Sequence, residues 1–311
     1  MSSISTMVNL IKNGDKRKIN LAIGNKICRS KVSRMIPDKI YLKIMYHFMI
    51  GAKLNLKNPN TFNEKLQWLK INNRHLEYQK MVDKYKAKEY VASIIGEEYI
   101  IPTLGVWNSF DEIDFDKLPD QFVLKCTHDS GSVVICKDKS LFNKDTARKR
   151  INKGLKNDRF WHGREWPYKD VPRKIICEKY MSDGINQSLN DYKIMCFNGK
   201  AKLVQTHTGR FSKHHYQDFY DLEWNHLEIA QDGGEKSPIA INKPDNLDEM
   251  IRLSEILAKD IPHVRVDWYS IKGRLFFGEL TFFDGSGFDK FSDYSFDELL
   301  GSWISLPEEK I

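Results

Sequence analysis

His263-Val-Arg265-Val-Asp267-Trp-Tyr269-Ser-Ile271-Lys272-Gly273-Arg-Leu275-Phe-Phe277-Gly278-Glu279-Leu-Thr281 is the stretch from which the rest of the chain can be read. It reads as strand, tight turn at Ile271-Lys272-Gly273, strand. Side chains alternate across a strand, so Val264, Val266 and Trp268 fall on one face and Arg265, Asp267 and Tyr269 on the other. In the second strand Leu275, Phe277, Glu279 and Thr281 are expected to share a face. That sets a carboxylate in an apolar run, where losing water is costly without a partner. A turn with an odd residue count centred on Gly273 brings Asp267 opposite Glu279 and Arg265 opposite Thr281. Like charges facing each other on a sheet repel unless a cation or a proton lies between them. A divalent ion held by one or two carboxylates, its shell completed by phosphate and water, describes a nucleotide-bound Mg2+ site. The competing reading is an exposed carboxylate pair neutralised by Arg265.

Outward from this hairpin the pattern is α+β. Asp191 to Phe197 and Lys200 to Thr206 flank Asn198-Gly199, a strong hairpin signal because both residues tolerate positive φ. Leu247 to Leu257 has helical spacing, and Gly209 to Gly234 has no clear period and is read as a long loop. Upstream, strand-like runs occur at Tyr99 to Ile101, Phe122 to Cys126, Val133 to Cys136 and Lys174 to Tyr180, with a basic helix between the last two at Asn143 to Lys156. Thr61-Phe-Asn-Glu64 has the form of a capping box, in which hydroxyl and carboxylate satisfy backbone donors at a helix start. Asp83 opens a further helix that ends at Gly96. Phe122-Val-Leu-Lys125-Cys-Thr-His-Asp-Ser130-Gly131-Ser132 places a lysine at a strand end before a loop of small residues, which can offer an ammonium and backbone N–H groups to phosphate. The alternative there is an ordinary hairpin turn, since the loop is no Walker A sequence.

Composition narrows the class. A chain of 311 residues with 41% hydrophobic and 12% aromatic content has the material for a folded core. Its five cysteines lack CxxC spacing, and Cys126, Cys136, Cys177 and Cys196 sit in apolar runs, so buried reduced thiols are expected rather than zinc. No apolar run reaches the ~20 residues needed to span a bilayer, and no signal-peptide pattern opens the sequence, so a cytoplasmic setting is expected. Residues 1 to 60 hold 12 Lys or Arg against Asp15 and Asp38, a net +10 within an overall +7. Such a segment, with Ile36, Ile40, Ile44 and Phe48 at helical spacing, fits peripheral contact with an anionic membrane or a polyanionic glycan, or a solvated helix pair packed on the main domain. Nucleic acid is disfavoured by the absence of any recognition motif.

Taken in order, Pro59-Asn-Thr-Phe-Asn-Glu-Lys-Leu-Gln-Trp-Leu-Lys70, Asp83-Lys-Tyr85, Phe122-Val-Leu-Lys125, Glu178-Lys-Tyr180, Asp191-Tyr-Lys193, Phe197-Asn-Gly199 and Val266-Asp267 through Glu279-Leu-Thr281 resemble the ATP-grasp superfamily. The resemblance is closest to its TupA-like, teichuronopeptide-biosynthesis branch. It implies an ATP-grasp fold, two α+β subdomains clasping ATP, over residues 81–311 (first subdomain 81–180, second 181–311), preceded by the basic, mainly helical segment 1–80. By the same resemblance Lys84 and Lys125 hold phosphates beneath the loop Ser130, Gly131 and Ser132. Glu178, Lys179, Tyr180 and Met181 form the adenine-binding linker, and Lys193 meets the triphosphate from the other side. Asp267 and Glu279 bind Mg2+, with Thr281 where most relatives carry Asn and Asp284 as an alternative holder of a second ion. Arg265 faces the oxyanion of a tetrahedral intermediate.

The reaction this resemblance implies is a ligation. A carboxylate takes a phosphoryl group from ATP, and an amine displaces phosphate from the acyl phosphate. The acid would be a uronic acid or acidic amino acid in surface-polysaccharide synthesis, and Arg210, His214 and His215 are candidates for contacting it. An ATP-dependent kinase, a glycosyltransferase and a basic adaptor that has lost turnover are the competing classes.

Overall fold

The computed structural model describes residues 16–184, 189–209, 215–232 and 234–308. Ten strands among them form two antiparallel sheets. The smaller contains β1 (Thr103–Trp107), β2 (Phe122–Cys126), β3 (Val133–Cys136) and β4 (Ile175–Lys179) in the order β1-β4-β2-β3. The larger contains β5 (Asp191–Phe197), β6 (Lys200–Thr208), β7 (Tyr216–Tyr220), β8 (His226–Leu227), β9 (His263–Ile271) and β10 (Arg274–Thr281) in the order β10-β9-β5-β6-β7-β8.

Each sheet buries one face under helix. Phe122, Leu124 and Cys126 of β2 and Ile175 and Cys177 of β4 pack with Ala147 and Ile151 of the helix Lys144–Leu155. The opposite pleat positions, Val123, Lys125 and Glu178, are left toward the cleft. In the larger sheet Val264, Val266 and Trp268 pack with Met250, Leu253 and Leu257 of the helix Leu247–Leu257, where the indole N–H of Trp268 donates to Ser254 Oγ at 2.8 Å. Its other face is covered in part by the helices Phe62–Asn72 and Tyr294–Ser302: the Phe62 ring stands edge-on to His263 at 4.9 Å, and Phe219 packs on Phe296 at 6.1 Å. The remainder of that face, which carries Arg265 and Asp267, is left to polar partners.

The capping box at the start of Phe62–Asn72 is formed in both directions. Thr61 Oγ1 accepts from the Glu64 N–H at 3.2 Å, and Glu64 Oε2 accepts from the Thr61 N–H at 3.4 Å. Cys126, Cys136, Cys177 and Cys196 are buried free thiols. No helix among the described residues is long and apolar enough to cross a membrane.

Three expectations change. Tyr99–Ile101 is not a strand: Glu97–Tyr99 is a 3-10 turn, Ile100 makes one bridge to Phe277, and the strand lies at Thr103–Trp107, after Pro102, which lacks a ladder donor. The stretch Gly209–Gly234 is not a single loop, because β7 and β8 occupy part of it; Gln217, Asp218, Phe219 and Tyr220 are all buried, so no in-out alternation marked it. The β9–β10 turn has two central residues, Lys272 (φ 52°) and Gly273 (φ 77°), rather than an odd count. Ile271 therefore pairs with Arg274, yet Thr281 still ends opposite Arg265, because a bulge between Phe277 and Leu280 inserts one residue. The bulge also separates Glu279 from Leu275 and Phe277. Those two join the large core, while Glu279 emerges in the cleft.

Candidate active site

A cleft of about 850 Å³ lies between the sheets, lined from the smaller one by Val123, Lys125 and Glu178 and from the larger one by Asp267, Gly278 and Glu279. Lys84, Ser130, Gly131, Lys179, Tyr180 and Met181 also line it. Lys193, Arg265, Thr281 and Ser132 do not reach its surface, and each is placed differently from the simplest expectation.

On the first wall Asp83 caps the helix Lys86–Ile95, accepting from the Tyr85 N–H at 2.9 Å and the Lys86 N–H at 3.2 Å. This fixes Lys84, whose N–H donates to Thr127 O at 3.0 Å and whose Nζ donates to Asp129 O at 3.0 Å. The ammonium lies 3.7 Å from Glu279 Oε2 and so bridges the two sheets. In the loop after β2, Gly131 has φ +97°, a conformation that disfavours a side chain, and Ser130 and Gly131 are exposed at the mouth. Ser132 turns inward instead: its hydroxyl donates to Asp129 and accepts from the Cys126 N–H at 3.2 Å, so it pins the loop rather than facing the cleft.

Glu178 is also not a free linker group. Its carboxylate lies 2.6 Å from Lys88 Nζ and 2.5 Å from Lys125 Nζ. Burial opposes its ionisation, but the two lysines overcome this and hold the carboxyl down at about 2. Lys88, which the sequence reading missed, is lowered by burial despite Glu178. Its place on an amphipathic helix gave no sign that it points inward. After β4 the chain runs through Tyr180, whose ring lies 6.0 Å from Lys137 Nζ, to Met181, which packs against Ile101, Ile271 and Phe276. The cleft is therefore apolar at the Ile101 and Met181 end and charged at the Lys84 and Glu279 end.

On the second wall the β5–β9 register places Lys193 beside Asp267 and Met195 beside Arg265. Lys193 Nζ donates to Asp267 Oδ2. The Arg265 guanidinium forks onto the same carboxylate, Nε to Oδ1 at 2.7 Å and Nη2 to Oδ2 at 2.9 Å. Arg265 also donates to Asp284, to Gln205 Oε1 at 3.4 Å and to Thr281 Oγ1 at 3.3 Å. Burial opposes every charge here. Asp267 and Asp284 nevertheless raise Arg265 above its usual range, and Arg265 and Lys193 lower Asp267. For Glu279, burial and the repulsion of Asp267 are outweighed by Lys84, Lys193 and Arg265, and the carboxyl is lowered. Gln205, buried and absent from the sequence reading, became recognisable only once β6 was in register with Lys193.

A divalent ion can be tested against this donor set. Glu279 stays 42% accessible, and its ion pairs at 3.7 Å and 3.8 Å are longer than hydrogen bonds, which leaves lone pairs directed at the cleft. No cluster of three or more His, Cys, Asp or Glu suited to a metal occurs among the described residues. The set fits a hard ion such as Mg2+ that takes Glu279 directly, gains Asp267 only if Lys193 or Arg265 releases one of its oxygens, and completes its shell with phosphate and water. His215 immediately precedes β7 in the larger sheet, its Nε2 2.9 Å from Nδ1 of His207, which pairs with the cleft residue Asp191. Arg210 and His214 lie outside the described residues.

Two antiparallel sheets closing on a cleft that is cationic on one wall and acidic on the other define a nucleotide-clasping architecture. The sequence profile described as TupA-like ATPgrasp matches residues 64–305, and the chain belongs to that ATP-grasp family. A search of curated proteins returned no match. Among solved structures the chain is similar to a D-alanine–D-alanine ligase from Bacillus anthracis complexed with ATP, at 16% identity and TM-score 0.38, over 65% of this chain and 54% of that one. The corresponding ligase from Helicobacter pylori is 13% identical with TM-score 0.43, over 80% of this chain and 70% of that one. The biotin carboxylase domain of a Hydrogenobacter thermophilus 2-oxoglutarate carboxylase, solved with MgADP, is 15% identical with TM-score 0.37, over 66% and 40%. The chain thus spans little more than half of the first of these ligases.

Proposed function

We propose that the protein is an ATP-dependent carboxylate–amine ligase that works through an acyl phosphate. The observation that carries this reading is the junction of Lys84, Asp267 and Glu279 in one cleft, with Arg265 directly behind it. The adenine would enter the end bounded by Ile101 and Met181, against the backbone of Glu178 to Tyr180. Lys84 and Lys125 would take the phosphates, with Ser130 and Gly131 closing over them. Lys125 would reach them by swinging from Glu178, and Glu178 would then retain Lys88.

Asp267 and Glu279 would hold Mg2+, which when bound supplies charge neutralisation along the phosphates. The acid's carboxylate oxygen attacks the γ-phosphorus, the bond to the β,γ-bridging oxygen breaks, and ADP departs. The amine nitrogen then attacks the acyl carbon. Collapse of the tetrahedral intermediate expels phosphate, and the amine loses its proton to solvent. On the family resemblance Arg265 would stabilise the oxyanion by turning one N–H from its partners toward the cleft, and removing one such donor typically costs ~10² to 10³ in rate. Lys193 holds Asp267 in place and adds positive charge beside the phosphates. Nothing in this sequence of steps requires a protein nucleophile, in keeping with phosphoryl transfer driven by positioning and charge.

On the family resemblance we assign the acid to a uronic acid or acidic amino acid in surface-polysaccharide synthesis, contacted through Arg210, His214 and His215. Phosphate release that requires ATP, an acid and an amine together supports ligation. ADP without free phosphate would indicate a kinase, and indifference to ATP would remove the reading altogether. Glu279→Gln should abolish turnover while unfolding remains cooperative.

A further inference from the structure

The exposed tip formed by Lys31–Met35 and the start of the helix Asp38–Ile50 is far from neutral and far from polar. Val32, Met35 and Ile40 are 70%, 86% and 53% exposed, Met35 being the most exposed large apolar side chain among the described residues. Lys31, Arg34, Lys39, Lys43, Lys53 and Lys57 surround them and are also exposed. Lys39, Lys43, Lys53 and Lys57 line a shallow recess of about 640 Å³ beside the helix.

Two features show that this surface is built. Between residues 16 and 60 the sequence has eleven Lys or Arg and a single acid, Asp38. That acid is occupied by cations from the body, Arg164 Nε at 2.9 Å and Arg74 Nη2 at 2.8 Å, so it neutralises none of the outward lysines. The tip is also held rigid from beneath. Arg164, fully buried, donates to Ser33 O at 2.8 Å and Ile36 O at 3.4 Å, and its guanidinium stacks over Tyr41 at 4.1 Å and Trp161 at 4.5 Å. A turn anchored this way presents Val32 and Met35 outward without having to be ordered on contact.

We propose that this tip docks the protein on an anionic lipid bilayer, with Val32, Met35 and Ile40 entering the headgroup boundary and the surrounding lysines meeting lipid phosphates. The apolar prongs decide between polyanions. A soluble anionic glycan or a nucleic acid would engage the lysines and leave Met35 in water, whereas a bilayer uses both. Apolar insertion and electrostatic attraction add, and either alone gives weak, reversible attachment. This inference does not depend on the ligase reading.

The test is flotation of the full chain with vesicles of phosphatidylcholine alone and of an equal mixture of phosphatidylcholine and phosphatidylglycerol. Binding to the mixed vesicles only, weakened by salt, is expected. Lys43→Gln and Lys53→Gln should each weaken it about fivefold, the effect of one charge near an anionic surface. Val32→Ser with Met35→Ser should weaken it about tenfold or more, through lost apolar burial. All four side chains are exposed, and unchanged circular dichroism and urea midpoint will show that the variants fold. Equal binding to neutral vesicles, no binding to either, or full binding by the Val32→Ser, Met35→Ser variant would overturn the proposal. Retention on dextran sulfate with no flotation would assign the surface to a soluble polyanion and overturn it as well.

Discussion

Replacing Glu178 by Gln removes one negative charge from a site where two lysines converge. The burial of Glu178 and its two lysine partners give the scale of the effect. Glu178 is 5% exposed, and its carboxyl sits at about 2 against an ordinary 4.5. A difference of that size is worth about 3 kcal/mol of folding free energy at neutral pH. Lys88 gives the opposing sign, since burial lowers it in spite of the pair. The net worth of the charged group over an apolar one is therefore smaller than Glu178 alone implies. The cost of breaking it is not smaller, because the variant leaves Lys88 buried without its counter-ion. We expect Glu178→Gln to lose about 3 kcal/mol, which at a urea slope of about 3 kcal/mol per molar moves the midpoint by about 1 M. Lys88→Met with Glu178→Met should return to within about 1 kcal/mol of the parent, because no buried charge is then uncompensated. The pH dependence has a definite sign. A carboxyl depressed in the folded state stabilises above 4.5 and loses that contribution as pH falls toward 2, so parent and Glu178→Gln should converge over this window. Equal urea midpoints at pH 7, or a double variant as weak as Glu178→Gln, would refute the charge argument.

Three other perturbations follow from the same structure. His263 is buried between Phe62 and Phe197, and burial lowers it from 6.5 to about 4, so the unfolded chain gains its proton first and stability falls as pH drops through that interval. His263→Phe should flatten the acid side of a urea-midpoint profile, and an unchanged slope would contradict the assignment. Lys70 is fully buried and lowered from 10.5 to about 7, chiefly by burial, so the parent should gain stability as pH rises across that range while Lys70→Met should not. Its ammonium also donates to Ser286 O at 2.7 Å, in the turn that follows Asp284, so the same variant should slow turnover by loosening the partner of Arg265. A Cβ on Gly278 would lie 3.1 Å from Asp267 O and 3.3 Å from the Tyr269 ring. Gly278→Val should therefore lower turnover about tenfold or more by displacing Asp267, consistent with the cost of small misplacements, and unchanged kinetics would show that the bulge tolerates a side chain.

What could be read in advance was whatever depends on local period and local chemistry. The β9 alternation, the Asn198-Gly199 hairpin, the Thr61 to Glu64 cap and the helix after Asn143 each follow from a few neighbouring residues, and each is present. The pairing of Lys193 with Asp267 does not follow from neighbours. It needs β5 beside β9 at one register, and the chain between them gives no measure of that offset. The route of Glu279 into the cleft is the clearest case. A strand of unbroken period would have kept Glu279 with Phe277, on the face that the large core buries. Only the extra residue at Gly278 turns it away, and the two-residue turn shifts the pairing by the one position that the bulge restores. Sequence reasoning thus placed Arg265 opposite Thr281 through a wrong turn length and an unseen insertion that offset each other. The physical pressure behind the bulge is the carboxylate itself: on the core face it would meet Leu and Phe, whereas on the cleft face it meets Lys84 and Arg265. The irregularity in the strand is therefore the feature that assembles the acidic wall of the cleft.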